Sequence, residues 1–588
     1  MTYIAPLDDI FFALKTAGGL DGMLAQELYP GLDEATIRAV IEQAGKFASD
    51  VLDPLNASGD RTGSKLINGK VVTPPGFAAA YKQFADGGWS ALPCPEVYGG
   101  QGLPEVISVV ACEIWNSANM AFGMCPLLTQ GAIHAIEAGG SDALKDAYLP
   151  KMISGQWTGT MNLTEPHAGS DLSQLTTRAE RQSDGSYRIT GTKIYISYGE
   201  HDMAENIIHL VLARLPDGLP GTRGISLFLV PKVLVSADGS LGAPNDVVCA
   251  GIEHKLGITA SPTCVMKFGE QGGATGYLVG QEHRGLATMF VMMNAARLAV
   301  GMQGVAIAER ATQRAVAYAK DRRQGRSSGA KSAAMSPIVE HPDVRRTLLT
   351  MKAQTQAARM ICLATALELD LAHRSPSSEQ RRAALNRAGL LTPIAKAVAT
   401  DAGVDVASMG VQVHGGMGFV EDTGAAQHLR DARILPIYEG TNGIQAIDLV
   451  TRKVPLEGGA VVKAYLKDCA DTAALLRTAN VAAWGATALH LGAAIAALDA
   501  ATSWILANAS SNPDAVLAGA TPYLKLFGLV CGAHYLAKGA LAAGGSPSHV
   551  ALARFFAENG LPVAAGLAQM IVDGADAILS SDAEGLLA

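Results

Sequence analysis

The sequence predicts a mixed, mainly α-helical protein: a helical N-terminal domain, a small β-barrel or sandwich domain, a four-helix-bundle-type domain and an extra C-terminal helical domain. Three observations lead there. Apolar residues recur at helical spacing along most of the chain, except near residues 159–280, where the period drops to two. The 588 residues suffice for roughly three to five domains of about 100–200 residues each. Hydrophobic residues make up 49% and aromatic ones only 5%, so the cores are aliphatic and small and helices can approach closely.

Residues 1–34 form an N-terminal extension. Its opening Met1-Thr2-Tyr3-Ile4-Ala5-Pro6-Leu7-Asp8-Asp9 lacks the basic stretch and apolar run of a secretory signal, so the expected location is cytoplasmic. Residues 35–158 form the helical domain, with Ile37, Val40, Ile41 and Ala44, then Val106, Ile107, Val110 and Ile114, at helical spacing. Asp53-Pro54 and Tyr98-Gly99-Gly100 break the pattern. Residues 159–282 form the β domain, with short runs such as Lys193-Ile194-Tyr195-Ile196-Ser197 and Ile225-Ser226-Leu227-Phe228-Leu229-Val230. Residues 283–455 return to long helical patterns, over Leu286 to Lys320 and Pro342 to Leu371, which imply a bundle. Pro455 and Gly458-Gly459 lead into the helical residues 456–588. The most apolar stretch there, Trp484 to Leu498, contains His490 and ends at Asp499; a bilayer span needs about 20 apolar residues, so a bundle helix and no membrane span are expected.

The charge balance is 46 Lys+Arg against 54 Asp+Glu, a net of −8. Residues 456–588 alone carry 6 against 10, a net of −4, which argues against a nucleic-acid partner. The eight cysteines include no Cys-x-x-Cys pair and read as buried, reduced thiols. The thirteen histidines show no metal-ligand spacing, so no metal is expected. Neither Gly-x-Gly-x-x-Gly nor a P-loop occurs. Gly325-Arg326-Ser327-Ser328-Gly329 matches a nucleophile elbow in letters only, since a helical pattern precedes it.

Five segments carry candidate chemistry. In Met161-Asn162-Leu163-Thr164-Glu165-Pro166-His167-Ala168-Gly169-Ser170-Asp171-Leu172, hydroxyls and glycine can serve a planar polar ligand or phosphate oxygens. Taken alone, the segment reads first as a capped turn, with Ser170 or Asp171 starting a helix. Gly191-Thr192-Lys193-Ile194-Tyr195-Ile196-Ser197 reads as a half-exposed strand. Asp321-Arg322-Arg323-Gln324-Gly325-Arg326 complements a helix C-terminus or binds a pyrophosphate. Val411-Gln412-Val413-His414-Gly415-Gly416-Met417-Gly418-Phe419 permits close backbone contact with a cofactor or a tight interhelical turn. In Leu435-Pro436-Ile437-Tyr438-Glu439-Gly440-Thr441-Asn442-Gly443-Ile444-Gln445, Glu439 taken alone is an ordinary turn residue.

The ordered set closely resembles the acyl-CoA dehydrogenase family of flavoproteins over roughly residues 35–453, and the N-terminal segment and C-terminal appendage look like one bacterial subgroup of it. The resemblance implies FAD as cofactor, an acyl-CoA substrate, electron-transferring flavoprotein as acceptor and a homodimer that shares the FAD site. By it, Leu163, Thr164, Gly169 and Ser170 line the flavin, and Tyr195, Ile196 and Ser197 flank its isoalloxazine. Arg322, Gln324, Gln412 and Gly416 reach the FAD of the neighbouring subunit, and Thr441 holds flavin phosphates. Gly325 stands where many relatives have Phe, and Gly443 where some have Gln.

The same resemblance makes Glu439 the catalytic base and places Ser170, Asn294, Arg297 and Gly440 with it around the substrate. The base would take the acyl α-proton, and burial beside the acyl chain should raise its pKa. Some relatives carry the base immediately before the arginine matching Arg297; here that residue is Ala296. The subgroup implies 3-methylthiopropanoyl-CoA or a short-to-medium-chain acyl-CoA as substrate. The methionine stripe Met289, Met292, Met293 and Met302 reads as ordinary core. The alternatives are an acyl-CoA oxidase and a DNA-associated relative that retains the flavin.

Overall fold

In the computed structural model, the change of period falls at Trp157, where an eight-stranded sheet begins. The structure describes all residues except Met1, Ala237, 330–333, Asn480, Val481, Ala543, Gly545, Ser581, Ala583, Glu584, Leu587 and Ala588. The chain divides into two compact units, one of Thr2–Ile4 and Gln43–Ala299, the other of Ala5–Glu42 and Val300–Ala588.

In the first unit the strands run in the order Val247–Ile252, Thr263–Phe268, Tyr187–Ser197, Ala274–Val279, Ile225–Pro231, Asn206–Arg214 and Trp157–Asn162. The remaining strand, Arg178–Arg181, pairs with Tyr187–Ser197 and meets Asn206–Arg214 at Arg178 and Arg214, which closes part of the sheet into a ring. The expected barrel is therefore present. Asn206–Arg214 and Ile225–Pro231 are buried almost throughout and read as continuous apolar runs, because both of their faces are covered. Helix Met120–Gly139 packs on Trp157–Asn162, where Thr129 Oγ1 accepts from Gly159 N–H at 3.1 Å.

The helical part of this unit also holds a hairpin, Lys65–Ile67 with Lys70–Val72. Its turn is Asn68-Gly69, both residues at positive φ, the pair that a two-residue hairpin turn requires.

The second unit is all helical and gathers the three long helices Val300 onward to Asp321, Pro342–Arg374 and Ser378–His414. Small residues let them meet closely, as the composition implied. A Cβ at Gly304 would stand 2.2 Å from the Ala399 carbonyl oxygen, so only glycine fits there. Arg359 and Glu309 form a buried ion pair at 2.8 Å between two of these helices. The appended helix Ala520–Ala542 packs on Ser378–His414 with Gly528 against Val398, and Arg387 pairs with Asp468 of helix Ala460–Ala479. The N-terminal helix Leu7–Thr16 is tied in by the ion pair of Asp9 with Lys352.

Helices Gly285–Asp321 and Thr487–Asn508, and the continuous segment Pro547–Asp573, are long and apolar enough to cross a membrane by length and composition. All eight cysteines are free, seven of them buried and Cys112 half-buried. Among the described residues no cluster of His, Cys, Asp or Glu has the makings of a metal site.

Candidate active site

The residues singled out in the sequence fall into two sets, one in each unit. In the β-containing unit, Leu163, Thr164, Gly169 and Ser170 lie on the loop leaving strand Trp157–Asn162. Ile194 N–H donates to the Thr164 carbonyl at 2.9 Å, which ties this loop to the strand carrying Tyr195, Ile196 and Ser197. No helix starts at Ser170 or Asp171; the Asp171 carboxylate instead accepts from Ser173 N–H at 2.8 Å in a tight turn.

A buried ion pair holds the loop. Lys193 Nζ donates to Glu165 Oε1 at 2.9 Å and to the Leu163 carbonyl at 3.0 Å. Glu165 accepts further from the N–H and hydroxyl of both Thr176 and Thr177. Burial alone would raise the Glu165 pKa, but Lys193 and the Thr177 hydroxyl outweigh it and hold the carboxyl down at about 2. These two residues were quoted only as parts of motifs; their pairing was invisible because each looks like a solvated charge.

The strand Tyr187–Ser197 bulges near its C-terminal end. Its partners jump from Met266↔Lys193 to Cys264↔Ile196, leaving two residues opposite one, and Tyr195 adopts φ 59°. The bulge re-aims the side chain, so Tyr195 is 62% exposed while Ile196 beside it is buried. A half-exposed strand was expected; the kink was not.

Farther along this unit, Asn294 is exposed, and Arg297 is buried with Nη1 3.5 Å from Asn294 Oδ1. Arg297 is thus a buried cation and does not lie on the helix surface. Met289 and Met292 are buried, Met292 against Gly131, as core packing requires.

In the helical unit, Glu439 and Gly440 occupy successive left-handed positions, φ 57° and 84°. For glutamate that conformation is strained by about 1–2 kcal/mol and must be held by its surroundings. Gln445 Nε2 donates to the Glu439 carbonyl at 3.2 Å and to the Gly440 carbonyl at 3.1 Å. Lys396 Nζ, fully buried, donates to the Gly440 carbonyl at 3.0 Å and to Asn442 Oδ1 at 2.9 Å. Thr441 caps helix Asn442–Asp448, its hydroxyl accepting from Ile444 N–H at 3.2 Å. The Glu439 side chain is half-buried at the turn's surface.

Arg322, Gln324, Gln412 and Gly416 are all exposed at the ends of two helices joined by the stack of Tyr318 on His414, ring centroids 4.4 Å apart. Lys396, Asn442 and Gln445 were missed as site residues. The signal for the first was there: a lone cation inside Ile394-Ala395-Lys396-Ala397-Val398-Ala399 has no solvated face to occupy.

Family models of the acyl-CoA dehydrogenase N-terminal, middle and C-terminal domains match residues 34–156, 160–270 and 283–454, and one described as acetyl-CoA dehydrogenase C-terminal like matches 465–582. The chain belongs to the acyl-CoA dehydrogenase family. It is 47% identical to 3-methylmercaptopropionyl-CoA dehydrogenase of Ruegeria pomeroyi, over 99% of this chain and 100% of that one. A butyryl-CoA dehydrogenase of Syntrophomonas wolfei is 35% identical over 92% and 90%. Among solved structures, an acyl-CoA dehydrogenase complexed with FAD from Bacillus anthracis shares the fold, with TM-score 0.77 and 19% identity over 95% and 91%. Like its family, this acyl-CoA dehydrogenase is a flavin-dependent oxidoreductase whose cofactor is FAD. Its residues fit that group: in the β-containing unit nothing lies within 4 Å of the point where a Cβ on Gly169 would stand, and Ser170 and the ring of Tyr195 are exposed.

Proposed function

We propose that this acyl-CoA dehydrogenase oxidises 3-methylthiopropanoyl-CoA to its trans-2-enoyl thioester, with Glu439 as the base. The observation that carries the assignment is the braced left-handed turn at Glu439-Gly440, a strained conformation of the kind that persists where geometry is part of a mechanism. The other position used for the base among relatives holds Ala296, which has no proton to exchange. The substrate reading rests on the 47% identical relative and its full-length match.

Glu439 takes the α-proton of the thioester, and its own backbone N–H polarises the thioester carbonyl. Bound FAD supplies the acceptor for the hydride that leaves the β-carbon. In the β-containing unit Thr164, Ser170 and Ser197 hold and orient the flavin; Arg322, Gln324, Gln412 and Gly416 hold the nucleotide end of a partner subunit's flavin. The working form is a cytoplasmic homodimer without a membrane span, passing electrons to an electron-transferring flavoprotein.

The test is anaerobic mixing of Glu439→Gln holoenzyme with 3-methylthiopropanoyl-CoA. The variant should keep its FAD and its thioester affinity and lose nearly all bleaching of the flavin; bleaching at the parent rate removes Glu439 from the chemistry.

A further inference from the structure

The turn that carries Glu439 is held by two helices. Ser378–His414 supplies Lys396, Thr400 and Asp401, and all three engage Asn442: Lys396 Nζ donates to its Oδ1 at 2.9 Å, while its Nδ2 donates to Thr400 Oγ1 at 3.0 Å and to Asp401 Oδ1 at 2.7 Å. Asn442 opens the second helix, Asn442–Asp448, whose Gln445 holds the Glu439 and Gly440 carbonyls. The turn is therefore only as well fixed as the contact between these two helices.

The second helix cannot hold itself. It has 7 residues, whereas an isolated helix shorter than about 12–15 residues is marginal in water. It also includes Gly443, which costs about 1 kcal/mol against alanine in a helix, and the β-branched Ile444 and Ile447. Packing must supply its stability, and Gln445, Ala446 and Asp448 are buried.

Part of that packing comes from beyond residue 454, where the match to the family's C-terminal domain model ends. Helix Ala520–Ala542 packs on Asn442–Asp448 and on Ser378–His414, so it backs both supports of the turn. It is seated closely on the longer helix at Gly528, where a Cβ would stand 2.3 Å from Val398 Cγ2. Val398 lies between Lys396 and Thr400, at the level that grips Asn442. Lys525, three residues before Gly528, faces the same level: burial raises the pKa of Asp401 and of Asp405, and the charge of Lys525 opposes the rise at both.

We propose that helix Ala520–Ala542 is a positioning element for the base: seated through Gly528 on Val398, it presses Asn442–Asp448 against Ser378–His414 and thereby sets the turn at Glu439-Gly440. Gly528 and Val398 act through these helices and take no part in proton or hydride transfer. This role rests on the assignment of Glu439 as the base.

Gly528→Ala drives a methyl into Val398 and forces the helices apart. In the FAD-loaded variant, flavin reduction at saturating 3-methylthiopropanoyl-CoA, or butyryl-CoA should the former fail to bleach the parent, is expected to slow by about 10- to 100-fold. Thioester affinity should stay within about twofold of the parent, because the loss falls on the chemical step. Val398→Ala loosens the same seat without a clash and should slow reduction by about two- to tenfold; it carries the measurement if Gly528→Ala does not fold. A methyl at 528 would lie 3.5 Å from Val398 Cβ, an ordinary contact, so the double variant Gly528→Ala with Val398→Ala should reduce its flavin faster than either single variant. Parental reduction rates in the folded single variants, whatever their Tm, overturn the role, and so does a double variant no faster than the folded singles. Parental bleaching by Glu439→Gln overturns the base and this role with it; loss of bleaching in Glu439→Gln beside unslowed Gly528→Ala and Val398→Ala overturns this role alone.

Discussion

Lys396 Nζ reaches the Gly440 carbonyl at 3.0 Å from inside helix Ser378–His414, and so fixes the residue that follows Glu439, the proposed base. The ammonium is fully buried and also engages Asn442 Oδ1, whose own amide donates to Asp401 at 2.7 Å. One helix thus braces the left-handed turn from beneath.

Replacing that brace should cost positioning as well as stability. In Lys396→Met the Gly440 carbonyl loses a charge-assisted donor, a change of about 1–3 kcal/mol. A displacement of Glu439 by about 1 Å lowers the rate of flavin reduction by up to about 100-fold. Rapid-mixing kinetics beside thermal unfolding separate the two effects. A lower Tm with an unchanged reduction rate would confine Lys396 to stability.

The pair Glu165–Lys193 predicts a larger effect on folding. Glu165→Gln leaves a buried ammonium without its counter-charge, which costs about 3–5 kcal/mol. The loop bearing Thr164 and Ser170 then loses its anchor, so FAD should be released on dialysis more readily than from the parent. Denaturant unfolding and flavin absorbance of the dialysed protein check both parts; full FAD retention together with parental stability refutes the role.

The sequence made some of this legible and hid the rest for identifiable reasons. Glu439 stands out because it sits in an ordered set of motifs, although one glutamate before one glycine says nothing. The barrel was found because the period changes, yet the bulge at Tyr195 was not, since an extra residue in one strand leaves its alternation intact on either side. Glu165 and Lys193 were hidden because a charged letter reads as solvent-facing until a partner distant in sequence is known, whereas the all-apolar neighbours of Lys396 already marked it as buried. The close seating of Gly528 on Val398 depends on a contact 130 positions apart, which no local pattern encodes.

Buried histidines set the acid limb of stability. His209 shares a hydrogen bond of 2.9 Å with Thr160 Oγ1 between the last two strands of the sheet; burial, aided by the charge of Lys232, holds its pKa down at about 3. His201 is held at about 3 for the same reasons. An unfolded histidine titrates near 6.5, so between about pH 6.5 and 3 the unfolded chain binds more protons and stability falls as pH is lowered. Each site contributes a slope of about 1.4 kcal/mol per pH unit in that window. His209→Gln should flatten the loss of Tm between pH 6.5 and 5 while lowering stability at pH 8; an identical slope in both proteins counts against the assignment.

The same substitution at two helical glycines should have opposite signs. At Gly304 a methyl would stand 2.2 Å from the Ala399 carbonyl oxygen and 2.7 Å from the Thr400 nitrogen, backbone atoms of a buried helix that cannot turn aside. Alanine gains about 1 kcal/mol over glycine from helix propensity, but forcing two packed helices apart costs about 1–3 kcal/mol or more. The clash therefore wins, and Gly304→Ala should lower stability. At Gly566, within helix Ala564–Asp573, nothing lies within 4 Å of the added methyl and the residue is exposed. Only the propensity gain remains there, so Gly566→Ala should raise stability by about 0.5–1 kcal/mol. Chemical denaturation of both variants decides it: equal shifts of the same sign would mean that close contact between the long helices does not limit residue size at Gly304.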